Sequence, residues 1–127
     1  YVSLCIAQKT DEWSSTGYSQ NRLLDKQLTL SKESCLNAFQ IYKKNELETI
    51  AIFKQLSIPM FEIEYETLVE SPKETLPALQ HFLGVKPQPL QTLLVRQNNE
   101  ELSSLVLNYQ TLKNAFANSE YEHFFDE

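Results

Sequence analysis

The alternation of apolar and polar positions is sharpest over residues 61–85, FEIEYETLVESPKETLPALQHFLGV. Phe61, Ile63 and Tyr65 alternate with Glu62 and Glu64, the two-residue period of a strand with one buried face. The pattern predicts one clear strand at about residues 60–65, ending at Glu66 or Thr67. Ser71, Pro72 and Glu74 then spell a helix start: a hydroxyl at the N-cap, a proline at the first helical position, and a carboxylate that reaches back to the N-cap amide. Such a cap stabilises a helix by about 1 kcal/mol. Leu76, Leu79, Phe82 and Leu83 fall on one helical face, and Gly84 supplies the left-handed residue that ends it. Pro77 removes the amide that would bond to the carbonyl of Lys73, so a tight or bent first turn is expected.

The rest of the chain reads as helix joined by polar connections. Residues 1–9 suit a short, mostly buried helix that has no cap of its own and is read as beginning upstream. Residues 10–31 turn polar and form a long loop, with Trp13 and Tyr18 as its aromatic anchors. Ser31 is an N-cap, and Phe39, Tyr42, Leu47, Ile50, Phe53 and Leu56 form a helical stripe of six to seven turns that Ile58 and Pro59 stop. A proline-punctuated connection over 86–89 leads to a short apolar segment, 90–95, and a polar break at 96–99. Leu102, Leu105 and Val106 mark another helix, Asn108 interrupts it, and Tyr109, Leu112 and Phe116 carry the last helical face. The aromatic tail at 121–125 docks on the body. A lone strand cannot satisfy its own backbone groups, so the strand at 60–65 needs partners outside this chain.

Composition narrows the classes. At 127 residues and 42% hydrophobic content, the chain holds one core and reads as a single partial domain over 1–127. A net charge of −6 argues against general affinity for nucleic acid or an anionic membrane, and no apolar run approaches the roughly 20 residues that span a bilayer. Cys5 and Cys35 have neither metal-ligand spacing nor a nearby His, so they read as buried free thiols of a protein in a reducing, cytoplasmic compartment. The start at Tyr1, inside an apolar pattern, reads as a fragment or a trimmed chain.

Chemical motifs are sparse. There is no glycine-rich phosphate loop, CxxC, HExxH or Gly-x-Ser-x-Gly elbow, and the two glycines cannot cradle a nucleotide's phosphates. His81 and His123 read as packing or surface residues. Glu62, Glu64, Glu66 and Glu70 read as a solvated or ion-paired row rather than an acid–base pair. No metal site is expected.

The run from Tyr65 to Val85 resembles the sulfotransferase superfamily, whose members carry a Tyr-Glu-x-Leu stretch after a strand and then a Pro-led helix ending in Phe-Leu-Gly. Tyr65, Glu66, Leu68, Pro72, Leu76, Phe82, Leu83 and Gly84 carry the match. The opening VSLCIAQKTDEW is similar to a segment of bacterial sulfotransferases of the trehalose-sulfotransferase type, through Val2, Ser3, Leu4, Thr10 and Trp13. Leu102, Asn108, Tyr109, Leu112 and Tyr121 match the C-terminal tail of many bacterial members.

The resemblance implies an α/β protein. This chain would be the mostly helical C-terminal part of a P-loop-like fold, and the reaction a sulfuryl transfer from 3′-phosphoadenylyl sulfate (PAPS) to an acceptor hydroxyl or amine. The phosphosulfate loop and the catalytic base lie upstream in the family, so the chain alone is expected to be inactive. Ser3 matches the serine that binds the 3′-phosphate, and remains open to the plainer reading of a small helix residue. Arg96 lies where relatives carry a basic residue, and is either a second 3′-phosphate ligand or a surface cation. Trp13 and its loop are a closing segment or a core anchor. The acceptor and the oligomeric state, a homo-oligomer included, stay open. The alternative reading is a non-enzymatic helical interaction or dimerisation module.

Overall fold

In a computed structural model, which describes residues 1–14, 23–91 and 98–126, nearly all regular structure is helical. The helices are α1 Val2–Thr10, α2 Leu23–Lys26, α3 Lys32–Gln55, α4 Tyr65–Glu70, α5 Pro72–Phe82, α6 Leu102–Leu105 and α7 Tyr109–Phe116, followed by a 3₁₀ turn at Glu122–Phe125. The chain divides into two compact units, Tyr1–Glu46 with Leu93–Glu127, and Leu47–Thr92, one boundary falling within α3.

The first unit holds the apolar core. α1 buries Ile6 and Ala7, and α3 starts where the Ser31 hydroxyl accepts the amide of Ser34 at 3.0 Å, the cap expected from the sequence. Cys35, Val106, Leu112, Phe116, Tyr121 and Phe125 form one buried cluster. Phe39 of α3 meets the rings of Phe116, Tyr121 and Phe124 at centroid distances of 5.6, 5.3 and 4.9 Å. The aromatic tail does dock: the Tyr109 hydroxyl and the Lys113 ammonium both donate to the carbonyl of Phe125, at 2.6 and 2.7 Å. Asn108 separates α6 from α7, as its position in the apolar pattern predicts.

A short parallel pairing ties residues 27–30 to 104–108. Leu28 donates to Leu105 and accepts from Leu107, each at 2.8 Å, in the isolated bridge Leu28↔Val106. Asn108 extends it with its side chain, whose amide donates to the Leu30 carbonyl at 2.7 Å and accepts the Leu30 amide at 3.1 Å. At the other end Gln27 donates to Ser104 at 3.2 Å, and buried Lys26 pairs with Glu100 at 2.9 Å. The long loop expected over 10–31 is therefore broken by α2 and this pairing, and its residues 15–22 lie outside the described residues.

The second unit corrects two expectations. The strand at 60–65 is not formed: among the described residues the chain has no strand, residues 59–64 have no regular structure, and Tyr65 already opens α4. The local pattern survives in part without its sheet: Phe61 and Ile63 are half-buried and Glu62 and Glu64 exposed, but Tyr65, predicted on the buried face, is exposed. Phe61 seats on Phe82 of α5 at 5.3 Å. What is missing is a neighbouring backbone, without which a single segment makes no ladder.

The second correction concerns Ser71. It is the N-cap of the Pro72-led helix, as expected, but its hydroxyl makes no capping bond. Ser71 is shared by two helices. Its amide closes α4 on Thr67 at 2.9 Å, while its carbonyl accepts the amides of Glu74 and Thr75 at 3.2 and 3.0 Å. At the far end Gly84 has φ +68°; its amide bonds back to His81 and that of Val85 to Gln80, both at 3.0 Å, the paired bonds of a left-handed helix stop. α3 ends the same way at Ser57, φ +53°, with Ile58 bonded to Phe53 at 3.0 Å.

Candidate functional site

Ser3 sits in the first turn of α1 with its side chain exposed. It borders a cavity of about 310 Å³ inside the first unit. Cys35, Val106 and Leu112, each at most 3% exposed, lie deep in its wall, while half-exposed Tyr42 and Phe124 stand at its mouth. It is walled by the rings of Tyr1, Phe39, Tyr42, Phe124 and Phe125 and by the aliphatic side chains of Val2, Leu30, Leu102, Val106 and Leu112.

Its lining is mostly apolar: among the described residues it contains no Lys, Arg, His, Asp or Glu side chain. The polar groups are the hydroxyls of Tyr1, Ser3 and Tyr42 and the thiol of Cys35. Burial pushes the Cys35 thiol up from its ordinary range, against a hydrogen bond with Ser34 that lowers it, which makes it a poor nucleophile at neutral pH. For Tyr1 the hydrogen bond with Ser34 pulls the phenol down, but burial and the thiols of Cys5 and Cys35 together outweigh it and leave it raised.

The 3′-phosphate of PAPS would meet the hydroxyls of Tyr1, Ser3 and Tyr42 and an otherwise apolar wall here, with no basic side chain among the described residues. That is a poor fit for a multiply charged group, and the described residues supply no cradle for the donor's phosphates. Arg96, the other residue expected to bind the 3′-phosphate, lies outside the described residues.

The remaining candidates separate. Trp13 is 61% exposed and donates to Asp11 at 3.4 Å, so it does not anchor its loop to the core. His81 is exposed on α5, and exposed His123 packs its ring on Phe124 at 4.1 Å. Glu62, Glu64, Glu66 and Glu70 are all exposed, matching the solvated-row reading. Among the described residues no three His, Cys, Asp or Glu side chains converge as metal ligands, and no helix is long and apolar enough to cross a membrane. Sequence reasoning missed the cavity. Its Phe39–Tyr42 stripe and aromatic tail were visible as apolar faces, but no spacing rule says that such faces meet with a gap between them.

Comparison with protein-family models, with curated proteins and with solved structures gave no match.

Proposed function

We propose that the chain is the C-terminal part of a PAPS-dependent sulfotransferase with a P-loop-like α/β fold, and that it transfers no sulfuryl group by itself. The observation that carries the reading is the run from Tyr65 to Gly84. Its Tyr-Glu-x-Leu stretch forms α4, its proline leads α5, and its Phe-Leu-Gly forms the left-handed stop at Gly84. Sulfuryl transfer needs cationic donors for the charge that builds on the bridging oxygen, by the logic of phosphoryl transfer. The sequence has no glycine-rich phosphate loop, which supports the silence of the isolated chain. Two cysteines without a disulfide fit a cytoplasmic setting.

The reading frame upstream of Tyr1 and a binding measurement test this together. A strand-to-helix loop bearing glycines and a Lys or Arg is expected in that frame. A polypeptide including it should bind 3′-phosphoadenosine 5′-phosphate in calorimetry, while the 127-residue chain should not. A frame without such a loop, or micromolar binding by the 127 residues alone, overturns the proposal.

One observation favours a non-enzymatic interaction module instead. Leu56, Ile58, Met60, Tyr65, Val69, Leu83, Val85 and Leu90 of the second unit are all more than 40% exposed, an apolar surface that suits a partner. A frame that starts with a methionine just before Tyr1 would support that reading.

A further inference from the structure

The cavity beside Ser3 has the build of a ligand site, and every described residue that lines it belongs to the first unit. Five rings wall it, those of Tyr1, Phe39, Tyr42, Phe124 and Phe125, while Cys35, Val106 and Leu112 lie deepest. These rings are held by neighbours of their own. Phe125 stacks on Phe116 at 5.3 Å with 17° between the planes, and its carbonyl is bonded by Tyr109 and Lys113. Phe39 and Phe124 meet at 4.9 Å, and the Tyr1 phenol is hydrogen-bonded with Ser34. Walls fixed in this way leave little ordering for a ligand to impose, which favours binding.

We propose that this cavity binds an uncharged two-ring aromatic molecule with one polar edge, of the class of indole. Size sets the number of rings. An apolar cavity of about 150 Å³ in another protein takes benzene, and this one, at about 310 Å³, is roughly twice as large. The walls set the class. Aromatic rings pack on one another offset or edge to face, with centroids about 4.5–7 Å apart, and gain more than the area they bury. A flat, rigid ligand can meet several of these rings without the loss of rotamer freedom that a flexible chain would suffer. The hydroxyls of Tyr1, Ser3 and Tyr42 set the polar edge, as acceptors for one N–H of the ligand. A carboxylate on the same rings would give up its water with no Lys, Arg or His among the described lining residues to replace it. The inference rests on the walls of the cavity, and holds whether or not the chain is a sulfotransferase.

The test is a titration of indole into the 127-residue chain, followed by the methyl resonances of Val2, Leu30, Val106 and Leu112. Shifts confined to these methyls and saturating below about 1 mM indole are expected. Indole-3-carboxylate should bind at least about tenfold more weakly. Val2→Trp and Leu102→Trp each place a ring in the cavity from a half-buried position, and either one, with its helices intact by circular dichroism, should weaken indole by at least about tenfold. A polypeptide extended upstream of Tyr1 should bind indole as well. Shifts that do not saturate, shifts spread over the exposed apolar residues of the second unit, or equal binding of the carboxylate overturns the proposal. So does unchanged binding by a folded Trp variant, or by the native chain alone and not the extended polypeptide, which would make the upstream segment the occupant.

Discussion

Two side-chain amides stand in for a missing backbone. Asn108 holds both backbone groups of Leu30, at 2.7 and 3.1 Å. Gln80, 6% exposed on α5, does the same for Gln88, donating to its carbonyl at 3.1 Å and accepting its amide, the latter at 2.6 Å. Each clamp satisfies an amide and a carbonyl at once, and truncating it leaves partly buried polar groups unpaired. Asn108→Ala should lower the free energy of unfolding by about 1–3 kcal/mol in urea denaturation. Asn108→Asp should cost a similar amount at neutral pH, because a carboxylate cannot donate to the Leu30 carbonyl. Loss of only a few tenths would mean that water replaces the clamp. The sequence marked Asn108 as a helix breaker, which it is. Its second role could not be read, since Leu30 lies 78 positions away.

At the scale of elements, helix starts and stops followed local rules where one residue serves one helix. Ser31 caps α3 with its hydroxyl, and Gly84 ends α5 in the left-handed region, both as the sequence predicts. Ser71 departs from the rule: its amide closes α4, itself unexpected, and its hydroxyl makes no capping bond. The pairing of residues 27–30 with 104–108 is anchored by Lys26 and Glu100, and this anchor is pH-sensitive. The hydrogen bond and charge of Lys26 hold the Glu100 carboxyl below its ordinary range, while burial opposes them. A carboxylate with a depressed folded-state pKa adds stability that is full above its unfolded pKa and fades as pH falls through the folded one. The stability gap between the native chain and Glu100→Gln should therefore be largest near neutral pH. It should close as pH is taken from about 7 toward about 3, followed by urea midpoints. A gap independent of pH would assign the contribution of Glu100 to packing.

At the scale of the molecule, the two units differ in what holds them. The first owns every buried apolar residue among those described, including Phe116 at 1% and Val106 at 2% exposure. In the second the only buried residue described is Gln80. Local stability follows buried apolar contact, so the second unit should open at a lower free energy than the first. Limited proteolysis should cut within 56–91 before it cuts within 98–126. The amides of α5 should exchange faster than those of α7. A single cooperative opening, with equal protection in both helices, would contradict this.

What the sequence determined alone is what depends on near neighbours: α1, the length and cap of α3, the break at Asn108, the proline-led α5 and its glycine stop, and the exposed row of glutamates. Periodicity and caps act over three or four residues, so they can be read from the string. What the tertiary structure decided are the meetings of distant segments. They are the aromatic cluster that docks the tail, the pairing of 27–30 with 104–108, and the apolar cavity beside Ser3. The strand at 60–65 marks the boundary between the two. Its alternation is written in the sequence and persists in the burial of Phe61 and Ile63. A strand, however, is completed only by hydrogen bonds to another backbone, and none of the described residues offers one.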